Sequence, residues 1–146
     1  TFKGSWPLYA LGFHHIKPVN FVSFFNAIAN GGKMVSLKSQ DSSAIVVDSM
    51  IAEKKNIESM KKAFRFYVTN GLGKKAESKM VNVAGTSGSI HTEDGIYADF
   101  CGYFPAERPK YTVFVSYKRL ETPASGGGMA GQTFRKIAEQ IMKTCK

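Results

Sequence analysis

Three strand-like segments in the 146-residue chain are joined by connections too short for anything but turns, and no other feature limits the fold as much. They are Met80 to Ser89, Ile96 to Phe104 and Tyr111 to Tyr117, separated by His91 to Gly95 and Pro105 to Pro109. A parallel pairing needs a crossover of about a dozen or more residues, so the three segments must run antiparallel. In the last of them Tyr111, Val113, Val115 and Tyr117 alternate with Thr112, Phe114 and Ser116, which makes both faces partly apolar and predicts cover on both sides. The predicted class is α+β, with an antiparallel sheet of about three main strands packed against a C-terminal helix and further helices.

The helices follow from apolar spacing. Phe21, Val22, Phe25, Ile28 and Ala29 share one face of a helix over Val19 to Ala29. Pro18 suits its first turn and Asn30-Gly31-Gly32 its left-handed stop. Asn56 is the predicted cap of a second helix, with Ile57, Met60, Phe64, Tyr67 and Val68 as its inner stripe and Asn70-Gly71-Leu72-Gly73 as its end. A final helix carries Phe134, Ile137, Ala138, Ile141, Met142 and Cys145 in one continuous stripe. Lys33 to Lys38 and Ala44 to Val47 predict two short strands around a polar turn at Ser39 to Ser43, and residues 1 to 17 read as loop.

Several formal motifs carry little chemistry. His14-His15 cannot both face one metal from a regular element, and no Asp, Glu or Cys stands nearby to complete a site. Ser59-Met60-Lys61-Lys62 has the S-x-x-K spacing of a serine acyltransferase, but Ser59 and Lys62 fall opposite the apolar stripe and should face water. Gly126 to Gly131 spells G-x-G-x-x-G ahead of a helix, yet the chain ends at Lys146 without the following strand and acid of a dinucleotide fold. Asp99 and Glu107 are too isolated to act as a paired acid and base. Cys101 and Cys145 form neither a metal-ligand spacing nor a disulfide framework. A net charge of +9 favours acidic partners, but the basic residues are scattered and predict no specific nucleic-acid binding. No apolar run is long enough to span a bilayer, and a start on Thr1 reads as a processed product or an excised piece whose targeting element lies upstream.

The stretch Met80 to Ser89 is written as a strand that receives another backbone: apolar alternation first, then small and hydroxylated residues with glycines at 85 and 88. Around it, specific sequence recurs at the joints. The first helix ends Asn26-Ala27-Ile28-Ala29-Asn30-Gly31-Gly32-Lys33 after Leu11-Gly12-Phe13 and Lys17-Pro18, and the second ends Tyr67-Val68-Thr69-Asn70-Gly71-Leu72-Gly73-Lys74. Then come Ala84-Gly85-Thr86-Ser87-Gly88-Ser89, Phe100-Cys101-Gly102-Tyr103-Phe104-Pro105, Pro109-Lys110-Tyr111, and Gly127-Gly128 with Ala130 and Phe134. In this order the set resembles the C-terminal half of the transpeptidase domain of penicillin-binding proteins, of the monofunctional class B kind.

The resemblance implies acyl transfer: a serine attacks the D-Ala-D-Ala amide of a peptidoglycan stem peptide, D-alanine leaves, and an amine takes the acyl group. β-Lactam antibiotics would trap the same serine. The strand bearing Thr86, Ser87, Gly88 and Ser89 would bind substrate, with the Ser87 or Ser89 hydroxyl on its terminal carboxylate and the Ser89 backbone N–H as an oxyanion donor. The resemblance implies no cofactor and no metal. It also implies an extracytoplasmic place, with a membrane anchor only in upstream sequence. Two departures stand out. Thr86 occupies the position of the family's lysine, and neither the nucleophile motif nor the Ser-x-Asn motif occurs at a credible place, so residues 1–146 read as an incomplete domain whose upstream half carries the nucleophile. The alternative that Thr86 raises is a degenerate, noncatalytic cell-wall-binding or scaffolding protein of the same fold.

Overall fold

The computed structural model describes residues 17–37 and 45–145. The expectations for residues 1–16, the His14-His15 pair among them, and for the polar turn at 39–43 lie outside the described residues.

Helix α1 spans Pro18–Ala29 and buries Phe25, Ala27, Ile28 and Ala29. Gly31 and Gly32 follow at φ 71° and 103°, and the Gly32 amide closes on the Ala27 carbonyl at 2.8 Å, the predicted left-handed exit. Strands β1 (Met34–Val35) and β2 (Val46–Asp48) form an antiparallel pair shorter than predicted. All of β2 is exposed, so it has no face to bury and little to extend the ladder.

Helix α2 spans Lys54–Asn70 and buries Ile57, Phe64 and Val68, with Met60 and Tyr67 half-buried beside them. Asn56 is not its cap. The helix begins a residue after Glu53, whose carbonyl accepts the Asn56 amide at 2.8 Å, and no side chain caps the first turn, which is exposed to solvent. Ser59 and Lys62 face water as predicted, and the Ser59 hydroxyl donates to the Lys55 carbonyl at 2.8 Å. A tight 3₁₀ turn at Lys74–Ala76 follows.

Strands β3 (Ala84–Thr92), β4 (Gly95–Phe104) and β5 (Tyr111–Arg119) form an antiparallel sheet in that order. β3 starts at Ala84, four residues later than Met80, because the backbone ahead of it is already engaged. The Met80 amide donates to Ser78 Oγ at 3.0 Å, the Asn82 carbonyl accepts the Ala106 amide at 2.8 Å, and the Val83 carbonyl accepts Arg65 at 2.9 Å. At its other end β3 continues to Thr92, so the turn shrinks from His91–Gly95 to Glu93 and Asp94, with Gly95 at φ 137°.

Two apolar clusters sandwich the sheet. On one face Phe100, Phe104, Val115 and Val83 pack against Val68, Ala130, Phe134 and Ala138. On the other Ala84, Cys101 and Tyr103 pack against Phe25, Ile28, Ile57 and Phe64, with the Phe25 and Phe64 rings stacked at 4.7 Å. Cover on both sides of β5 holds at Phe114, which meets Phe21 edge-on, but stops at the exposed Ser116.

Helix α3 spans Gly131–Thr144 after a wide π-helical turn at Gly126–Ala130. Its stripe is as predicted up to Met142, whereas Cys145 lies past the helix end and is exposed.

The interior makes two measurable demands. Phe100→Ala removes a fully buried ring from the middle of the sheet, and urea unfolding should show a loss of about 3–5 kcal/mol. Burial pushes the Cys101 thiol up to about 12, so a thiol reagent at neutral pH should label Cys145 alone until denaturant is added. Because the native state holds Cys101 neutral, its contribution is complete below the ordinary thiol value of 9.0 and is lost as pH rises toward about 12. Cys101→Ala should flatten the fall in stability across that interval.

Candidate functional site

The residues predicted to bind substrate are contiguous on β3, but strand alternation sends their side chains to opposite faces. Gly85, Ser87 and Ser89 stand opposite Gly102, Phe100 and Ala98 of β4, on the α3 side. Thr86 and Gly88 stand opposite Cys101 and Asp99, on the α1 side. Among the described residues no strand pairs with the outer edge of β3.

Both serine hydroxyls are held from within the chain. Ser87 Oγ lies 2.6 Å from the hydroxyl of Tyr67, in the last turn of α2. Ser89 Oγ accepts the Gly126 amide at 3.0 Å. The turn that supplies this amide packs on β3 because it is made of glycine. A Cβ on Gly126 would collide with the carbonyls of Gly88 and Asp99, and one on Gly127 would collide with the Leu72 carbonyl and come within 3.3 Å of Ser87 Oγ. The G-x-G-x-x-G spelling thus serves close packing, as does the cap that Ser125 Oγ makes on the Gly128 amide at 2.9 Å.

The other face is more open. Thr86 is half-buried, and the space in which a Gly88 side chain would lie is empty for 4 Å. Across from Gly88, Asp99 accepts the Ser116 hydroxyl at 2.5 Å. Partial burial raises the Asp99 carboxyl above the ordinary carboxylate range, against the opposing pull of that hydrogen bond. The strand's N-terminal approach is anchored by Arg65, which grips both carboxylate oxygens of Glu77 at 2.7 and 2.9 Å while holding the Val83 carbonyl.

Ser59 and Lys62 take no part in this arrangement, and no cluster of three His, Cys, Asp or Glu among the described residues could hold a metal. Sequence reasoning placed Tyr67 only in a core stripe and missed its hydroxyl. The available signal was the flanking Gly71-Leu72-Gly73, since a Cβ on Gly73 would come within 2.8 Å of the Tyr67 ring.

Comparison with known proteins agrees with this architecture. Over residues 3–139 the chain matches the family described as the penicillin binding protein transpeptidase domain. No curated protein sequence matches. Among solved structures it is similar to the transpeptidase domain of the FtsI4 D,D-transpeptidase from Legionella pneumophila, with 28% identity, a TM-score of 0.71, and cover of 87% of this chain and 47% of that one. It shares its fold with a peptidoglycan glycosyltransferase from Burkholderia ambifaria, at 21% identity and a TM-score of 0.73, over 89% of this chain and 41% of that one. The same holds for the transpeptidase domain of penicillin-binding protein 3 from Burkholderia pseudomallei, at 20% identity and a TM-score of 0.72, over 86% and 41% of the two chains. The chain therefore spans less than half the length of these solved chains. With an α+β fold of three antiparallel strands between helices, and the family's pattern along nearly its whole length, the chain belongs to the transpeptidase domains of penicillin-binding proteins.

Proposed function

We propose that the chain is the C-terminal part of a D,D-transpeptidase that cross-links peptidoglycan, and that it forms one wall of a site completed by upstream sequence. The observation that carries this reading is the unpaired outer edge of β3, which bears the small and hydroxylated residues Gly85 to Ser89 in a chain of transpeptidase family. An extended stem peptide would add to that edge as a further strand, with main-chain hydrogen bonds supplying affinity and the strand's side chains supplying selectivity.

In the proposed reaction a serine from upstream sequence attacks the carbonyl carbon of the D-Ala-D-Ala amide. The C–N bond breaks, D-alanine leaves with a proton on its nitrogen, and an acyl-serine ester remains. An acceptor amine then attacks the ester, a new amide forms, and the serine recovers its proton. The Ser89 N–H would help stabilise the oxyanion, while the Ser87 and Ser89 hydroxyls would bind the substrate carboxylate. Thr86 and Gly88 complete the substrate strand. β-Lactams would acylate the same serine and stall there. The reading places the full protein on the extracytoplasmic side, held to the membrane by upstream sequence. No described helix is long and apolar enough to cross a membrane.

Thr86 favours a second reading, a noncatalytic scaffold of the same fold, because a neutral hydroxyl cannot provide a lysine's charge. Two measurements decide between them. A fluorescent penicillin should label the full-length protein and leave residues 1–146 alone unlabelled, and labelling of the isolated 146 residues would refute the two-part site. Thr86→Lys in the full-length protein should raise the acylation rate by about one to two decades, the worth of one charge-assisted hydrogen bond. No labelling before or after that substitution identifies the scaffold.

A further inference from the structure

Ser87 points to the α3 side of the sheet, where the only hydrogen-bond partner of its hydroxyl among the described residues is the Tyr67 hydroxyl at 2.6 Å. The Tyr67 side chain is not free to leave. Gly73 lies so close to its ring that a Cβ there would come within 2.8 Å of Cδ1 and 2.9 Å of Cε1. The Tyr67 carbonyl meanwhile accepts the amides of both Gly71 and Gly73, at 3.0 and 3.2 Å. On the far side Gly127 crowds both the Leu72 carbonyl and the Ser87 hydroxyl. Gly73 thus packs against the ring and Gly127 against Ser87, and the phenol oxygen is delivered to one atom of the substrate strand.

We propose that Tyr67 is a positioning residue that sets the direction of the Ser87 proton, and so determines how strongly β3 selects a carboxylate. This rests on the acyl-transfer reading. A serine hydroxyl has one proton and two lone pairs, and a carboxylate can only accept. If Ser87 donates to Tyr67, it has nothing to give an anion. If Tyr67 donates to Ser87, the serine proton is released toward the open edge of the strand, and the two bonds in series strengthen one another. The phenol is the more acidic hydroxyl and the better donor of the pair. Ser89 shows the same arrangement with no ambiguity: its oxygen accepts the Gly126 amide at 3.0 Å and keeps its proton. With Tyr67 as donor, both serine hydroxyls of the strand would be fed from behind. Where the family resemblance implies a lysine, this chain has Thr86 beside a neutral relay, Tyr67 to Ser87 to substrate.

The test compares acylation of the full-length protein by a β-lactam carboxylate and by its methyl ester, with thermal unfolding as a check on folding. The ratio of the two second-order rate constants reads carboxylate selection. Tyr67→Phe, which keeps the ring and its packing, should lower that ratio about two- to tenfold, the worth of one neutral hydrogen bond. Ser87→Ala should lower it at least as much, Ser87→Thr should restore it, and the double variant Tyr67→Phe with Ser87→Ala should be no worse than Ser87→Ala alone. Fluorotyrosine at position 67, a stronger donor of nearly the same shape, should raise the ratio. It covers the case in which the phenylalanine variant does not fold. Equal loss for acid and ester, additive effects, or an unchanged ratio in either position-67 variant would overturn the relay while leaving acyl transfer intact. Absence of acylation by both compounds in the unsubstituted protein would overturn the acyl-transfer reading, and the relay with it.

Discussion

The ring of Phe100 fills space that three glycines leave open, and the two layers of the domain meet there. A Cβ on Gly85 of β3 would stand 2.9 Å from that ring, one on Gly102 of β4 3.2 Å, and one on Gly131 at the start of α3 3.4 Å. The ring can lie low over the sheet only because its neighbours across and along the ladder have no side chains. Phe134 then packs with its ring tilted on Phe100 at 4.9 Å and edge-on against Phe104, which brings α3 down onto β4. Once α3 is seated, the Gly126–Ala130 turn must lie over Gly88, and the amide of Gly126 reaches Ser89. The geometry of β3 is therefore set from the core outward.

This dependence explains what could be seen in the sequence and what could not. The three strands and the stripes of α1, α2 and α3 were legible because each buries one side against a layer, and burial imposes its period on nearby residues. The start of β3 was not. Its position depends on Ser78, Arg65 and Ala106 engaging the backbone at Met80, Val83 and Asn82, and those partners are scattered along the chain. Asn56 had the right chemistry for a cap, but the exposed first turn of α2 needed none. Cys145 continued the period of its helix and still fell beyond the helix end. For the candidate site, the sequence pattern located Thr86 to Ser89 as a unit, while the fold decides which hydroxyl meets which partner. Tyr67 is 20 residues from Ser87 and Gly126 is 37 from Ser89, separations at which no local period carries information.

The two faces of β3 end up chemically unequal. Behind Ser87 and Ser89 the strand is backed by glycines, aromatic rings and a tyrosine hydroxyl, and the Tyr67–Ser87 bond is partly buried. On the other face, past Thr86, cover thins out: Gly88 has open space, Ser116 is exposed, and Asp99 lies directly across the ladder from Gly88. Among the described residues no lysine or arginine pairs with Asp99.

That asymmetry bears on where an anionic group can settle. A ligand laid along the edge of β3 could in principle turn its carboxylate to either face. On the α1 side it would meet Asp99 across a glycine, with no side chain between to screen the like charge and a partly desolvated setting that strengthens the repulsion. On the α3 side it would meet the Ser89 hydroxyl, whose oxygen already accepts the Gly126 amide, and the Ser87 hydroxyl, which is paired with Tyr67. The net charge of +9 attracts an anion to the molecule as a whole, but a charge spread over the surface does not choose between two faces of one strand. That choice belongs to the near groups: Asp99 would repel an anion from one face, and in the proposed reading Ser87 and Ser89 would receive it on the other. A lysine at position 86 would have altered this balance by placing a cation on the Asp99 face. With threonine there, the proposed place of a carboxylate on the hydroxyl face would depend on Gly88 staying bare and Asp99 staying charged.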